Sequence, residues 1–207
     1  TLTQYDSTIR IPVAFPPIIP NRTLGETISM AGLSQIRLAE TEKWAHVTYF
    51  FNGLCECVFP HEKRILIPSR KVTTYDKTPA MKVKNITNTL LKSLNNHDFF
   101  VVNFANGDMI GHTGNLRACK KAVEAVDIEI GKIVKKFPGI IMITSDHGNC
   151  EDMTTTCKTC HSINSVPLIL VNSDKKLKNG GLADVAPTIL KLMRIKKPKQ
   201  MTGKSLV

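Results

Sequence analysis

Residues 98–114 read DFFVVNFANGDMIGHTG. The run from Asp98 to Phe104 is almost wholly apolar. It then breaks into Gly107, Asp108, Gly111, His112 and Gly114. An apolar run that stops this abruptly has the pattern of a buried strand delivering polar groups to the edge of a sheet. A solvated turn gives the same letters, so the surrounding segments decide which it is.

Downstream, 115–137 places Leu116, Cys119, Val123, Val126, Ile130, Ile133 and Phe137 at spacings of three and four, which predicts a helix with one apolar face. GIIMIT at 139–144 is a second buried strand, and it ends in SDHGN. VPLILV at 166–171 is a third strand, and LADVAPTILKLMRI at 182–195 is a helix. Upstream, KNITNTLLKSLNN at 84–96 is a helix, and ILIPSRKVTTYDKTPAM at 65–81 is a loop with short extended pieces. HVTYFF at 46–51, rich in aromatic and β-branched residues, is expected to be a strand. TLGETISMAGL at 23–33 is a helix whose Thr23 and Glu26 form a capping box.

Helices alternate with solidly apolar strands. That pattern predicts an α/β fold with a mostly parallel sheet flanked by helices on both faces. Sites in such sheets form beyond the carboxyl ends of the strands. Asp108 and His112 fall after one strand, Asp146 and His147 after another, and His161 in the loop before a third. If the strands are neighbours, these five groups converge. Carboxylate oxygens and neutral imidazole nitrogens form a usable ligand set for Mn²⁺ or Zn²⁺. Five ligands exceed one open catalytic centre but are enough to begin two, and paired metals suit phosphoryl chemistry.

Composition narrows the alternatives. The chain has 207 residues, 42% of them hydrophobic, enough for a substantial core in one domain or a little more. No run of 18 apolar residues marks a membrane span, and no signal segment opens the chain, so a cytoplasmic location is expected. The start, TLTQYDSTIR, lacks an initiator Met and has the appearance of an internal cut. The formal charge is +11, but the basic residues are spread along the chain and lack interleaved aromatics, which argues against nucleic acid. The six cysteines are expected to be free thiols. Cys157-Lys-Thr-Cys160-His161 fits the C-x-x-C-H haem pattern, and with Cys150 a zinc knuckle, but free loop cysteines are the preferred reading.

AETEKWAHVTYFFNG at 39–53, LIPSRKVTTYD at 66–76 and VNFANGDMIGHTGN at 102–115 carry a resemblance, continued by TSDHGNCEDM at 144–153 and GGLADVAPTILKLM at 180–193. The chain resembles the cofactor-independent (2,3-bisphosphoglycerate-independent) phosphoglycerate mutases of the alkaline phosphatase superfamily, over essentially its full length. The Asp-x-x-x-His and Asp-His-Gly pieces are shared with other superfamily members such as phosphopentomutases, whereas the segment around Lys43 is far more specific to the mutases.

The resemblance implies interconversion of 3-phosphoglycerate and 2-phosphoglycerate through a phosphoserine. Two Mn²⁺ ions are implied, with Mg²⁺, Co²⁺ or Zn²⁺ as alternatives. Asp108, His112 and His161 match the ligands of one ion, and Asp146 and His147 part of the set for the other. Lys43 matches a lysine that contacts the phosphoryl group or substrate. The expected partner is the small-molecule phosphoglycerate, with no membrane or nucleic acid, and the whole enzyme is expected to be a monomer.

The same resemblance implies parts outside this sequence: the nucleophilic serine, one aspartate ligand and a substrate domain. Residues 1–18 resemble the end of that substrate (transferase) domain and its hinge, and 19–207 the C-terminal portion of the metal-binding, phosphatase-like domain. The alkaline-phosphatase-like sheet is therefore expected to be incomplete here, and this piece inactive alone. The alternatives are a related phosphopentomutase or phosphatase, or an inactive metal-binding remnant. FNGLCECVFP departs from the family at Leu54 and the cysteines, and HSINSVPL at Ser165.

Overall fold

A computed structural model describes residues 1–4, 8–154 and 160–207. At its centre lies strand β1, Gln35–Glu40, buried along its whole length. Strand β2, Glu62–Ile67, pairs with it on one side and β3, Phe99–Val102, on the other, both in parallel. The register sets Leu38 opposite Val102, and the Asn103 N–H continues the ladder by donating to the Leu38 carbonyl at 3.0 Å.

The residues of β1 alternate between two layers. Ile36 and Leu38 are fully buried with Ile86 and Leu90 of helix α3 (Val83–Lys92) and Ile133 of helix α5 (Leu116–Lys136). The opposite face carries Gln35 and Arg37. It packs toward α1 (Leu24–Met30) and α6 (Val185–Leu192), where Leu24, Ile28 and Leu190 form a second core with Phe51 and Phe99. Arg37 is completely buried; its Nη2 donates to Gln35 Oε1 at 2.6 Å, and its guanidinium lies 4.2 Å from the Phe51 ring centroid. Gln35 Nε2 in turn donates to the Gly25 carbonyl at 2.9 Å. Gly25 is needed here, because a Cβ on that residue would run into Arg37 Nη2.

The flanking elements follow the predicted order with several corrections. HVTYFF is not a strand. Helix α2, Trp44–Val47, leads into a turn that ends in the left-handed residues Gly53 and Leu54. Its aromatic and β-branched side chains wrap a turn, with Phe51 contributing to the core rather than to a ladder. The loop assigned to 65–81 begins inside β2. QIRLAE lacks an apolar strand pattern because three of its six residues are polar, yet all six are buried in β1. The polyproline-rich start, with Ile9, Ile11, Phe15, Ile18 and Ile19 exposed, lies outside these cores.

Strand β4, Ile141–Thr144, pairs with β5, Leu168–Val171, and this pair is antiparallel. The parallel arrangement therefore holds for β2-β1-β3 and not for β4-β5. The capping box at α1 is half formed. Thr23 accepts from the Glu26 N–H at 3.4 Å, but the Glu26 carboxylate accepts from Arg22, one residue before the cap. The expectation of six free thiols fails as well: Cys55 and Cys57 form a disulfide and Cys160 is disulfide-bonded, while Cys119 and Cys150 are free. Cys157 of the C-x-x-C-H pattern lies outside the described residues. No helix among the described residues is long and apolar enough to cross a membrane.

Candidate metal centre

The four-residue spacing of Asp108 and His112 is one turn of helix. Asn106–Gly111 forms α4, starting four residues past the end of β3, with His112 as its C-terminal cap. Positions i and i+4 share a helix face, so both side chains point the same way, and His112 Nε2 lies 3.0 Å from Asp108 Oδ1.

His147 and His161 reach the same carboxylate from the other sheet. Asp146 and His147 follow β4 directly, and His161 precedes β5. The Ser162 N–H donates to the Gly148 carbonyl at 3.0 Å, an isolated bridge that clamps the two segments together. The clamp stacks the His147 and His161 rings, centroids 3.5 Å apart. His161 Nε2 sits 3.2 Å from Asp108 Oδ1 and 3.2 Å from His112 Nε2, and His147 Nε2 3.9 Å from Asp108 Oδ1. His147 Nδ1 lies 3.3 Å from the Gly148 carbonyl, which helps orient its ring. Asp146 stands apart: its side chain is 63% exposed, and Oδ1 is 3.6 Å from His147 Nε2.

Lys43 arrives from β1, three residues past its end. Its Nζ lies 2.5 Å from Asp108 Oδ2. The two carboxylate oxygens are thus divided between a lysine and a group of imidazoles. Burial alone would raise the Asp108 carboxyl. Hydrogen bonds from Lys43 and Asn149, with the Lys43 charge, outweigh it and hold the group at about 2.

Two neighbours carried no signal in the sequence. Asn149 Nδ2 donates to Asp108 Oδ1 at 2.7 Å, while His46, on α2, feels the charges of Lys43, Asp146, Asp108 and His147. Burial pushes the His46 imidazole below its ordinary value, and Lys43 adds to the effect. His46 sits in a segment whose residues favour a strand but which forms helix α2. Asn149 ends the SDHGN stretch, and only the tertiary structure brings it to Asp108.

The donor set suits a divalent transition ion. One atom each from Asp108, His147 and His161 lies within 4.8 Å of the others, and His112 Nε2 adds a fourth donor to the group. Nitrogen and oxygen bonds of about 2.0–2.2 Å to one tetrahedral ion put ligand atoms roughly 3.4 Å apart, close to the 3.0 and 3.2 Å separations found here.

An α/β sheet with such a cluster beyond its strand ends is the architecture of a metal-dependent enzyme, and the match to known proteins agrees. The pattern of the metalloenzyme superfamily fits residues 16–197, and the chain belongs to that superfamily. Among its relatives is the 2,3-bisphosphoglycerate-independent phosphoglycerate mutase of Moorella thermoacetica, 51% identical over 215 residues, spanning 100% of this chain and 42% of that protein. A second from Methanosarcina barkeri is 51% identical over 217 residues, spanning 100% of this chain and 41% of that protein. The solved phosphoglycerate mutase of Leishmania mexicana, studied at low cobalt concentration, superposes with a TM-score of 0.86 at 30% identity. That match covers 99% of this chain and 43% of the Leishmania chain. The chain thus spans about two-fifths of the length of the relatives it matches.

Proposed function

We propose that this chain is the metal-holding portion of a cofactor-independent phosphoglycerate mutase, which interconverts 3-phosphoglycerate and 2-phosphoglycerate. The observation that carries the proposal is identity of about half to named mutases across the whole chain. The Asp108 cluster supports it, since Asp108 and His112 from the end of β3 and His147 and His161 from the β4–β5 pair converge on one carboxylate oxygen.

Asp108, His112 and His161 would hold one divalent ion, with Asp146 and His147 contributing to a second; manganese is the ion proposed. A bound divalent ion supplies charge neutralisation on a transferring phosphoryl group and eases deprotonation of a hydroxyl. The chain's own residues prepare for this. Asp108 is ionised across the physiological range, because Lys43 and Asn149 stabilise its anion. Its Oδ1 faces the imidazoles, while Lys43 anchors Oδ2. An ammonium has three donors, so Lys43 retains capacity for a substrate phosphoryl oxygen. The Ser162–Gly148 bridge keeps the His147 and His161 rings in place before any ligand arrives.

The attacking serine, a further aspartate ligand and the phosphoglycerate-binding residues are proposed to lie outside this sequence, with residues 1–18 joining the two portions. The exposed apolar side chains of that segment, Phe15 and Ile18 among them, fit a stretch that packs against something else.

The test is an assay of the complete protein with Mn²⁺ and 3-phosphoglycerate, omitting 2,3-bisphosphoglycerate, followed by phosphorus NMR. The expected signal is 2-phosphoglycerate at equilibrium, abolished by D108A. Release of inorganic phosphate alone would make the protein a phosphatase, and conversion only of pentose phosphates would make it a phosphopentomutase.

A further inference from the structure

The basic run KLMRIKKPKQMTGK at 191–204 begins where α6 ends. Lys191, Arg194, Lys196 and Lys197 border one surface cavity of about 450 Å³, with Pro187 and Ile195 supplying apolar wall. Among the described residues, no Asp or Glu side chain lines it. The four basic residues are exposed, whereas Pro187 is buried and Ile195 is half-buried against the Leu190 core.

Arg194 holds an uncommon backbone position in this cavity. Past the cap at Met193, the Arg194 N–H donates to the Lys191 carbonyl at 3.1 Å and the Ile195 N–H to the Leu190 carbonyl at 2.8 Å. This pair of bonds closes a helix through one left-handed residue, a place that glycine fills most easily. Here the residue is Arg194, at φ +58°. An arginine kept in a glycine position strains the fold, and such strain clusters at functional sites. Helix-end electrostatics account for Lys191, in the last turn of α6. They do not account for Lys196 and Lys197, which lie beyond it. Lys191 Nζ donates to the Val207 main-chain oxygen at 2.5 Å, and Lys197 Nζ donates to the Met201 carbonyl. Each ammonium has further donors beyond that one.

We propose that this cavity binds an oligophosphate chain, either free or as the tail of a nucleoside triphosphate. Charges of one sign over apolar walls focus their field and concentrate counter-ions. A single phosphate neutralises only part of the charge bordering this cavity, whereas an oligophosphate carries negative charge on every unit. The Arg194 guanidinium can take two phosphoryl oxygens as a fork, with the lysines acting as point charges. The volume falls among small-molecule sites, which run from about 300 to 1,000 Å³. Binding makes and breaks no covalent bond. The proposal stands apart from the mutase reading, because its test needs neither metal nor turnover.

The complete protein is first stripped of metal, so that phosphate cannot be held by an ion at Asp108. It is then titrated calorimetrically with tripolyphosphate, ATP and orthophosphate. Tripolyphosphate should bind at one site, and orthophosphate about 10-fold more weakly or worse. ATP binding as tightly as tripolyphosphate identifies the chain as the ligand, and ATP binding more tightly identifies the nucleotide; both support the proposal. R194A should weaken binding by about 10-fold. R194G should do the same while raising the melting temperature, because glycine suits the left-handed position. K196E/K197E should weaken binding further. K84E/K92E makes the same charge change on α3, across β1 from α6, and should leave binding within about threefold of the parent. Several results would overturn the proposal: no binding of either chain, orthophosphate binding as tightly as tripolyphosphate, parental affinity in R194G, or equal losses in K84E/K92E and K196E/K197E.

Discussion

Lys43 Nζ and Asp108 Oδ2 meet at 2.5 Å, in an ion pair whose side chains are 10% and 14% exposed. Lys43 ends the helical turn Thr41–Lys43 that follows β1, and Asp108 lies on α4, which follows the neighbouring parallel strand β3. A cation that touches Oδ2, and not the Oδ1 that faces the imidazoles, can orient the carboxylate without blocking it.

Replacing Lys43 with Met should therefore separate binding from chemistry. In the complete enzyme we expect bound Mn²⁺ to change little and kcat to fall by about 10²–10³-fold, the usual cost of a charged group aimed at a developing charge. Metal content by atomic emission and turnover by the coupled assay test this together. Turnover within a fewfold of the parent would remove Lys43 from the mechanism.

Asn149 acts one step further out. N149A deletes the 2.7 Å hydrogen bond to Asp108 Oδ1. An outer partner of this kind is commonly worth about 10–100-fold in metal affinity. Calorimetric titration with Mn²⁺ should show that loss without a change of stoichiometry, and unchanged affinity would refute the role.

Gly111 should give the same phenotype by a steric route. A Cβ at Gly111 would collide with the Asn149 carboxamide, so G111A is expected to push Asn149 off Asp108. If so, the two substitutions are not additive, and G111A/N149A binds Mn²⁺ about as well as N149A alone. Additive losses would mean that Gly111 matters for some other reason.

Glu40 provides a pH test of the fold. It is fully buried at the end of β1, where it accepts from the Lys82 N–H at 2.8 Å and the Ser69 hydroxyl at 3.0 Å. Burial raises its carboxyl above the ordinary value of 4.5, against those hydrogen bonds. The folded state thus holds the proton longer than the unfolded chain. The associated stability is complete below the unfolded pKa of 4.5 and is lost as pH rises through the folded value. Each unit of elevation is worth about 1.4 kcal/mol. Urea unfolding at several pH values should show the parent losing stability relative to E40Q from mildly acidic to neutral conditions. A difference that is constant with pH would show that Glu40 does not titrate in this range.

The parts of the fold legible in the sequence were those where burial and periodicity coincide. Helix α5 announced itself through its three- and four-residue apolar spacing, and β3 through an apolar run. Strand β1 did not, because Gln35, Arg37 and Glu40 are buried by tertiary partners that no local window contains. HVTYFF misled for the converse reason: its residues favour strands, yet helix α2 and the turn at Gly53 and Leu54 turn Val47, Thr48 and Phe51 inward and leave Phe50 exposed. At the candidate site, the placement of Asp108, His112, His147 and His161 beyond strand ends was legible, and their meeting required the Ser162–Gly148 bridge. The α4 helix behind the Asp108–His112 spacing was masked by its own two glycines. Asn149 and His46 have roles that depend wholly on neighbours distant in the chain.

The parallel pairing of β1 with β3 also has a kinetic side. The two strands join residues 64 apart, as at Ser34 and Asp98. Contacts that close so long a loop form late and slowly. Lys43 and Asp108 come together only once that register is set, and a slip of one residue would turn alternate side chains to the wrong face. On the proposed metal assignment, capture of a divalent ion would appear only once this register is complete, and its onset during refolding would mark the end of the process.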